Sequence, residues 1–244
     1  IWNRRKNGET YPEWLTINSV HDVDRNVINY VGIFSDITVV KESQRRVEFL
    51  ATHDELTTLP NRTLFIDRIR QATSRARRHN TSFAVFFVDL DNFKVVNDSL
   101  GHQAGDELLK EVAMRLRECI RAADTVARFG GDEFLVLVPD APSDEMVWQL
   151  AEHIRSAFVD AFRHAGEEFI ITPSIGIARY PNDGLNAQQL LNHADVAMYE
   201  AKRRGRNNWQ MFSPALALQL KERLLIETQL RRAIENEELH LCYQ

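Results

Sequence analysis

The stretch ARFGGDEFLVLV, residues 127–138, decides the fold. Two apolar segments, DTVARF (124–129) and EFLVLV (133–138), meet at Gly130-Gly131, which reads as a tight hairpin between two strands. The turn leads Asp132 and Glu133 straight into the second strand. Two ionised carboxylates a few ångströms apart repel by roughly 4 kcal/mol at an effective dielectric of ~20, so this pair calls for a countercharge. On its own, the glycine pair is equally an ordinary hairpin turn with solvated acids.

The segments on either side supply the missing context. Upstream, SFAVFFVDLD (82–91) holds a six-residue apolar run, Phe83 to Val88, which suits a central strand buried on both faces. Between it and the hairpin, AGDELLKEVAMRLRECI (104–120) is an amphipathic helix through Leu108, Leu109, Val112, Leu116 and Ile120. Downstream come a helix, SDEMVWQLAEHIRSAFVDAF (143–162), and a strand, EEFIITPSIGIARY (167–180), in which Pro173 marks a bulge or an edge. The order over 83–180 is therefore β-α-β-β-α-β, the split βαβ arrangement of an α/β (α+β) domain. A helix joins the first two strands, so they run parallel by a right-handed crossover and end at one edge of the sheet. Asp89 ends the first and the glycine turn follows the second. Asp89 and Asp132 should converge at that edge.

The rest of the chain frames this unit. RTLFIDRIRQATSRARRHN (62–80) is helical, with Leu64, Phe65, Ile69 and Ala72 on one side. NAQQLLNHADVAMYEAKRRGRN (186–207) is a helix ending at Gly205, and NWQMFS (208–213) closes the unit as an edge strand. Residues 214–244 read as a long helix running into a strand, LHLCYQ. At the other end, TYPEWLTINSV and NVINYVGIFSDIT form two strands within 1–38, followed by a short connecting helix over 39–51 with a weak stripe of Val39, Val40, Val47 and Leu50. The central domain spans 52–213.

Composition narrows the classes. The 244 residues are 44% hydrophobic and 27% charged, a globular profile, and a net charge of −5 does not mark a nucleic-acid binder. No apolar run approaches the roughly 18 residues of a membrane span. Cys119 and Cys242 lie in apolar contexts and read as buried free thiols of a reducing, cytoplasmic compartment. The chain begins at Ile1 without Met and ends within a strand, which reads as a piece of a longer protein.

A fold tolerates facing carboxylates when a divalent cation lies between them, and Mg²⁺ takes one or two carboxylates plus substrate phosphates. Of the two acids in DLD, Asp89 is the favoured ligand and Asp91 a loop residue. Glycines in the turn let backbone approach a phosphate or base closely.

At this point the residues resemble a family. RFGGDEF is similar to the signature of GGDEF-domain diguanylate cyclases, and DLDNFKVVNDSLGHQAGDELL (89–109), HDELTTLPNR (53–62) and ADVAMYEAKRRGRN (194–207) resemble its other motifs in the same order. The resemblance implies a palm-like domain, a central mostly antiparallel sheet flanked by helices as in nucleotidyl cyclases. It implies condensation of two GTP into cyclic di-GMP, with two Mg²⁺ or Mn²⁺ ions per site and a homodimer for turnover. Asp89, Asp132 and the Leu90 carbonyl would bind metal, with Glu133 beside the attacking 3′-hydroxyl. Asn97 and Asp106 would hold guanine, since a carboxylate accepts from its N1–H and exocyclic amine. Lys94, Lys202 and Arg206 would neutralise phosphates, helped by N–H groups around Phe93 and by the close approach at Gly131. By spacing alone, Lys202 and Arg206 lie four apart on one helix and could be a solvated face.

RAAD, Arg121 to Asp124, resembles the family's inhibitory RxxD site for product, although a helix-end arginine and an aspartate opening a strand would look the same. His102 is assigned no chemistry. The N-terminal segment resembles the end of a PAS sensor domain, and LRRAIENEELHLCYQ (230–244) the opening of an EAL phosphodiesterase domain. That order leaves two alternatives to an active cyclase: a regulatory GTP-binding domain controlling an EAL partner, and a purely structural dimerisation module.

Overall fold

The computed structural model describes residues 1–236 and 238; the expected strand LHLCYQ, and Cys242 within it, lie outside them. The chain divides into two compact units, 1–52 and 53–244.

In the first unit, β1 (Trp2–Arg4), β2 (Thr10–His21) and β3 (Val27–Asp36) form an antiparallel sheet, and α1 (Thr38–Leu50) follows. The expected pair of strands is thus joined by a third, β1, too short to show a period. Trp14, Ile17, Tyr30, Ile33 and Phe34 are all exposed, as are Val39, Val40 and Val47 of α1.

The second unit is built on a five-stranded sheet. Its elements run α2 (Arg62–His79), β4 (Phe83–Leu90), α3 (Phe93–Leu100), α4 (His102–Glu118), β5 (Thr125–Gly130), β6 (Glu133–Val138) and α5 (Asp144–Ser156). There follow β7 (Phe162–His164), β8 (Glu167–Phe169), β9 (Pro173–Tyr180), α6 (Ala187–Arg203), β10 (Trp209–Met211) and α7 (Pro214–Glu235). The strand order is β10-β9-β4-β6-β5, antiparallel throughout except for the edge pair β10–β9. Both β4 and β5 run antiparallel to the β6 between them, so they point the same way and end at one edge, as expected. No helix among the described residues is long and apolar enough to cross a membrane.

Alternation along β4 sorts the core into two layers. Ala84, Phe86, Val88 and Leu90 pack with Leu108, Val112 and Leu116 of α4 and with Val147, Ala151 and Ile154 of α5. Phe83, Val85 and Phe87 face the other way, onto Phe65, Ile69 and Ala72 of α2 and Leu190, Leu191, Ala194 and Met198 of α6. Asp89 continues the second series. Its side chain therefore leaves the sheet on the α6 side, where Lys202 lies against it.

Four expectations change. The single crossover helix is two, because α3 forms right after β4 with only Phe93 and Val96 buried, too few to set a period. The long helix 143–162 stops at Ser156, and what read as one strand over 167–180 is a separate β7–β8 hairpin followed by β9. Pro173 is the first residue of β9, a position a proline tolerates. Cys119 is free but only half-buried.

Candidate active site

Asp89 stands opposite Glu133 of β6 on one side and Ser174 of β9 on the other. Asp132 lies in the two-residue turn between β5 and β6, where Gly131 takes a φ of 53°, a left-handed conformation that suits glycine. The Leu90 N–H donates to the Asp132 carbonyl at 3.3 Å, tying the turn to the end of β4. The expected convergence of Asp89 and Asp132 is thus realised by β6 folding back between the parallel strands.

The electrostatics follow from this placement. Burial pushes the Asp89 carboxyl up to about 6 against the pull of Lys202, and the charges of Asp132 and Asp91 push it further the same way. Burial also raises Glu133, with Asp89, Asp195 and Asp132 adding to it and Lys202 opposing. The Lys202 ammonium lies 2.7 Å from Asp89 Oδ1. Among the described residues that ammonium is the cation against the Asp89 carboxylate, which is 5% exposed.

The donor set tests the fit of a divalent cation: Asp89 is buried, and the charges of Asp132 and Asp91 oppose its ionisation while Lys202 favours it. Acids gathered at a buried edge are costly without further countercharge. Among the described residues no three His, Cys, Asp or Glu side chains gather into a cage. Two carboxylates with further oxygen from a phosphate-bearing ligand are the set Mg²⁺ takes, so the residues fit it.

The cationic side is arranged differently from the sequence expectation. Lys202 belongs to α6, but the helix ends at Arg203, and Gly205, Arg206 and Asn207 have φ values of 109°, 62° and 49°. Arg206 therefore sits on a left-handed turn beyond the helix, and the argument from four-residue helical spacing does not hold for it. Lys94 is exposed on the first turn of α3, which opens at Phe93 without a side-chain cap, so its first N–H groups remain available.

Asn97 of α3 packs against Gly105 of α4, the residue before Asp106. A Cβ built on Gly105 would fall far inside contact with Asn97 Oδ1 and 3.2 Å from the Phe93 ring. The sequence reading assigned this glycine nothing, although a glycine inside an amphipathic helix was a signal available to it.

Two further residues escaped it. Arg128 donates to the Gly131 carbonyl from Nε at 3.0 Å and Nη2 at 2.8 Å, while its Nη1 lies 3.2 Å from both carboxylate oxygens of Asp54. The first residue of RFGGDEF thus fastens its own turn to the HDELTTLPNR segment. Asp195, on α6, has its carboxyl raised by desolvation against the pull of Lys202.

Arg121 and Asp124 form a turn in which the Arg121 N–H donates to Asp124 Oδ2 at 3.0 Å. They line a cavity of about 510 Å³ together with Arg68 and Arg117. Arg68 Nη1 donates to Thr125 Oγ1 at 2.7 Å, which holds it there from α2. Three arginines around one cavity supply the donors that an anion would need, and no motif in the sequence announced two of them.

A mostly antiparallel palm-like sheet flanked by helices, with a buried acid at one edge and a lysine from a neighbouring helix against it, is the architecture of a nucleotidyl cyclase domain. The profile of the family described as diguanylate cyclase, GGDEF domain, matches residues 51–208. The chain belongs to the GGDEF family. It is 44% identical over 208 residues to the bifunctional diguanylate cyclase/cyclic di-GMP phosphodiesterase MucR of Pseudomonas aeruginosa, covering 85% of this chain and 30% of MucR. The chain spans about a third or less of the length of the curated relatives it matches. The GGDEF domain of TpbB (YfiN) from the same organism superimposes with a TM-score of 0.68 at 40% identity, covering 69% of this chain and 99% of that one. The coiled coil and GGDEF domain of DgcB from Caulobacter crescentus, in complex with c-di-GMP, does so with a TM-score of 0.63 at 30% identity over 72% of this chain and 93% of that one.

Proposed function

We propose that this domain condenses two GTP molecules into cyclic di-GMP, releasing two pyrophosphates. The observation that carries the reading is the buried Asp89 carboxylate at the sheet edge, its carboxyl raised by burial and by Asp132, with Lys202 against it. Asp89 and Asp132, with the Leu90 carbonyl, would hold Mg²⁺ or Mn²⁺. A bound divalent ion would lower the pKa of an attacking hydroxyl and offset charge on the leaving pyrophosphate. Each 3′-oxygen forms a bond to the α-phosphorus of the other nucleotide as the bond to the β-phosphate breaks. Glu133 stands at the same edge, and its raised affinity for a proton suits it to take the one the hydroxyl loses. Lys94, Lys202 and Arg206 supply positive charge for the phosphates, and α3 offers its N–H groups at Phe93. Asn97 and Asp106 read guanine. One domain holds one GTP, so turnover takes a second copy.

Incubation with GTP and Mg²⁺ tests this. Cyclic di-GMP formation is the expected result. Tight GTP binding without turnover would favour a regulatory domain governing an EAL phosphodiesterase in a longer PAS-GGDEF-EAL protein, a reading supported by the double activity in MucR's name. Absence of both would leave a structural module.

Gly105→Ala separates recognition from folding. Alanine raises intrinsic helix stability by about 1 kcal/mol, yet its Cβ displaces the Asn97 amide. Binding of GTP should weaken roughly tenfold, a loss of about 1.4 kcal/mol, with little change in melting temperature. Calorimetry and a thermal melt on the same sample check both.

The Arg68, Arg117, Arg121 and Asp124 cavity is the proposed inhibitory site for product. Arg121→Ala should raise the concentration of cyclic di-GMP giving half-inhibition at least tenfold while leaving the initial rate unchanged. An unmoved inhibition curve would remove the site from the account.

A further inference from the structure

We infer that Asp91 is a positioning residue, which clamps the Gly205–Asn207 turn to the end of β4 and thereby aims Arg206 at the phosphate position beside Asp89. The inference deepens the GTP reading and rests on it. Asp91 is 3% exposed and lies just past β4, in a turn. An aspartate that deep is unusual without a full set of donors. Its Oδ2 accepts from Thr172 Oγ1 at 2.7 Å and from the Asn207 N–H at 3.0 Å. Its Oδ1 accepts from Ser174 Oγ at 2.7 Å and faces Arg206 Nε at 3.9 Å. The Asp91 N–H donates in turn to the Thr172 carbonyl at 2.8 Å, so both ends of the residue grip the start of β9.

What it grips on the other side is a strained segment. Arg206 and Asn207 are non-glycine residues held at φ 62° and 49° directly after Gly205. Such conformations cost of order 1 kcal/mol or more each and persist only where surrounding bonds fix them. Asn208 Nδ2 closes the turn onto the Ala201 and Arg206 carbonyls, both at 2.8 Å, and among the described residues the Asn207–Asp91 bond is what ties the turn to the end of the strand that bears Asp89. The Arg206 side chain is 52% exposed, so its direction is set by its backbone and by the charge beneath it rather than by packing. Asp91 touches neither the phosphates nor the reacting atoms. It converts a flexible arginine into a preorganised one.

The test is a double-mutant cycle read in affinity. Asp91→Ala should weaken GTP binding roughly tenfold and leave guanosine binding unchanged. In an Arg206→Ala background, Asp91→Ala should cost nothing further, because its effect passes through that side chain. Equal losses for GTP and guanosine, or losses that add in the double variant, would overturn the assignment. Should Asp91→Ala fail to fold, Asp91→Asn keeps acceptors for Thr172 and Asn207 and removes the charge under Arg206. It should give a smaller loss of the same pattern, and an additive pattern would again overturn it. Amide exchange at Asn207 distinguishes this from failure of the GTP reading. The amide should exchange slowly in the unmodified protein without nucleotide and fast in Asp91→Ala. Fast exchange in the unmodified protein overturns the clamp, whereas slow exchange with no GTP binding overturns the nucleotide reading and Arg206's role in it.

Discussion

Replacing Asp89 by Asn should abolish cyclic di-GMP formation and, above pH 6, raise the melting temperature of the same protein. The first effect follows from removing the proposed metal ligand from the proposed reaction centre, a loss on the order of a thousandfold or more. The second follows from the carboxyl being held at about 6 by burial, against 3.8 in the ordinary state. The folded form binds this proton more tightly than the unfolded chain does. Stability is therefore fully present below about 3.8, falls as pH rises through about 6, and is lower by at most roughly 3 kcal/mol above that. Asn carries no charge to bury, and Lys202 is 31% exposed and can turn to solvent. The melting temperature of the variant should exceed that of the parent at pH 8 by several degrees and fall less between pH 4.5 and 6.5. A variant that melts lower at pH 8, or that turns GTP over, contradicts the assignment of Asp89. Such a gain in stability on losing function is the behaviour of a site that holds charge for a ligand.

The second large effect concerns Gly176. It lies in the middle of β9, opposite Phe87, where α6 crosses so closely that an added Cβ would fall inside the Ala194 carbonyl oxygen and the Met198 backbone nitrogen. Backbone cannot swing aside as a side-chain tip can. Gly176→Ala should cost more than about 3 kcal/mol, a large share of the 5–15 kcal/mol of a typical domain. Displacing α6 also moves Lys202 and the Arg206 turn away from Asp89, so whatever folds should bind GTP poorly. Urea unfolding checks the cost. The contrast is Gly131→Ala, where a Cβ meets nothing within 4 Å and only the positive φ is penalised, at about 1 kcal/mol. Equal midpoints for the two variants would show that the β9–α6 contact does not govern stability.

These residues also show which parts of the molecule sequence makes legible. The Phe83–Val88 run and the Gly130-Gly131 turn speak through strand period and turn chemistry, and they led to the sheet and to its acidic edge. Elements of three to eight residues carry too few buried positions to set a period, which is why α3, β1 and the β7–β8 hairpin were not foreseen. Arg206 was placed by helical spacing, whereas its backbone follows a left-handed turn that the sequence signals only through Gly205. Arg68 and Arg117 reach the Arg121 cavity through tertiary packing, which leaves no local mark. Asp91 read as a loop residue and is one, but its burial depends on donors from Thr172, Ser174 and Asn207, more than 80 residues away.

The most direct measurement is a crystal structure of the chain with a non-hydrolysable GTP analogue and Mg²⁺. The account predicts magnesium bonded to carboxylate oxygens of both Asp89 and Asp132, Lys202 turned from Asp89 toward phosphate, and guanine against Asn97 and Asp106. A nucleotide bound elsewhere, with Asp89 still paired to Lys202 and no metal at the turn, would contradict it.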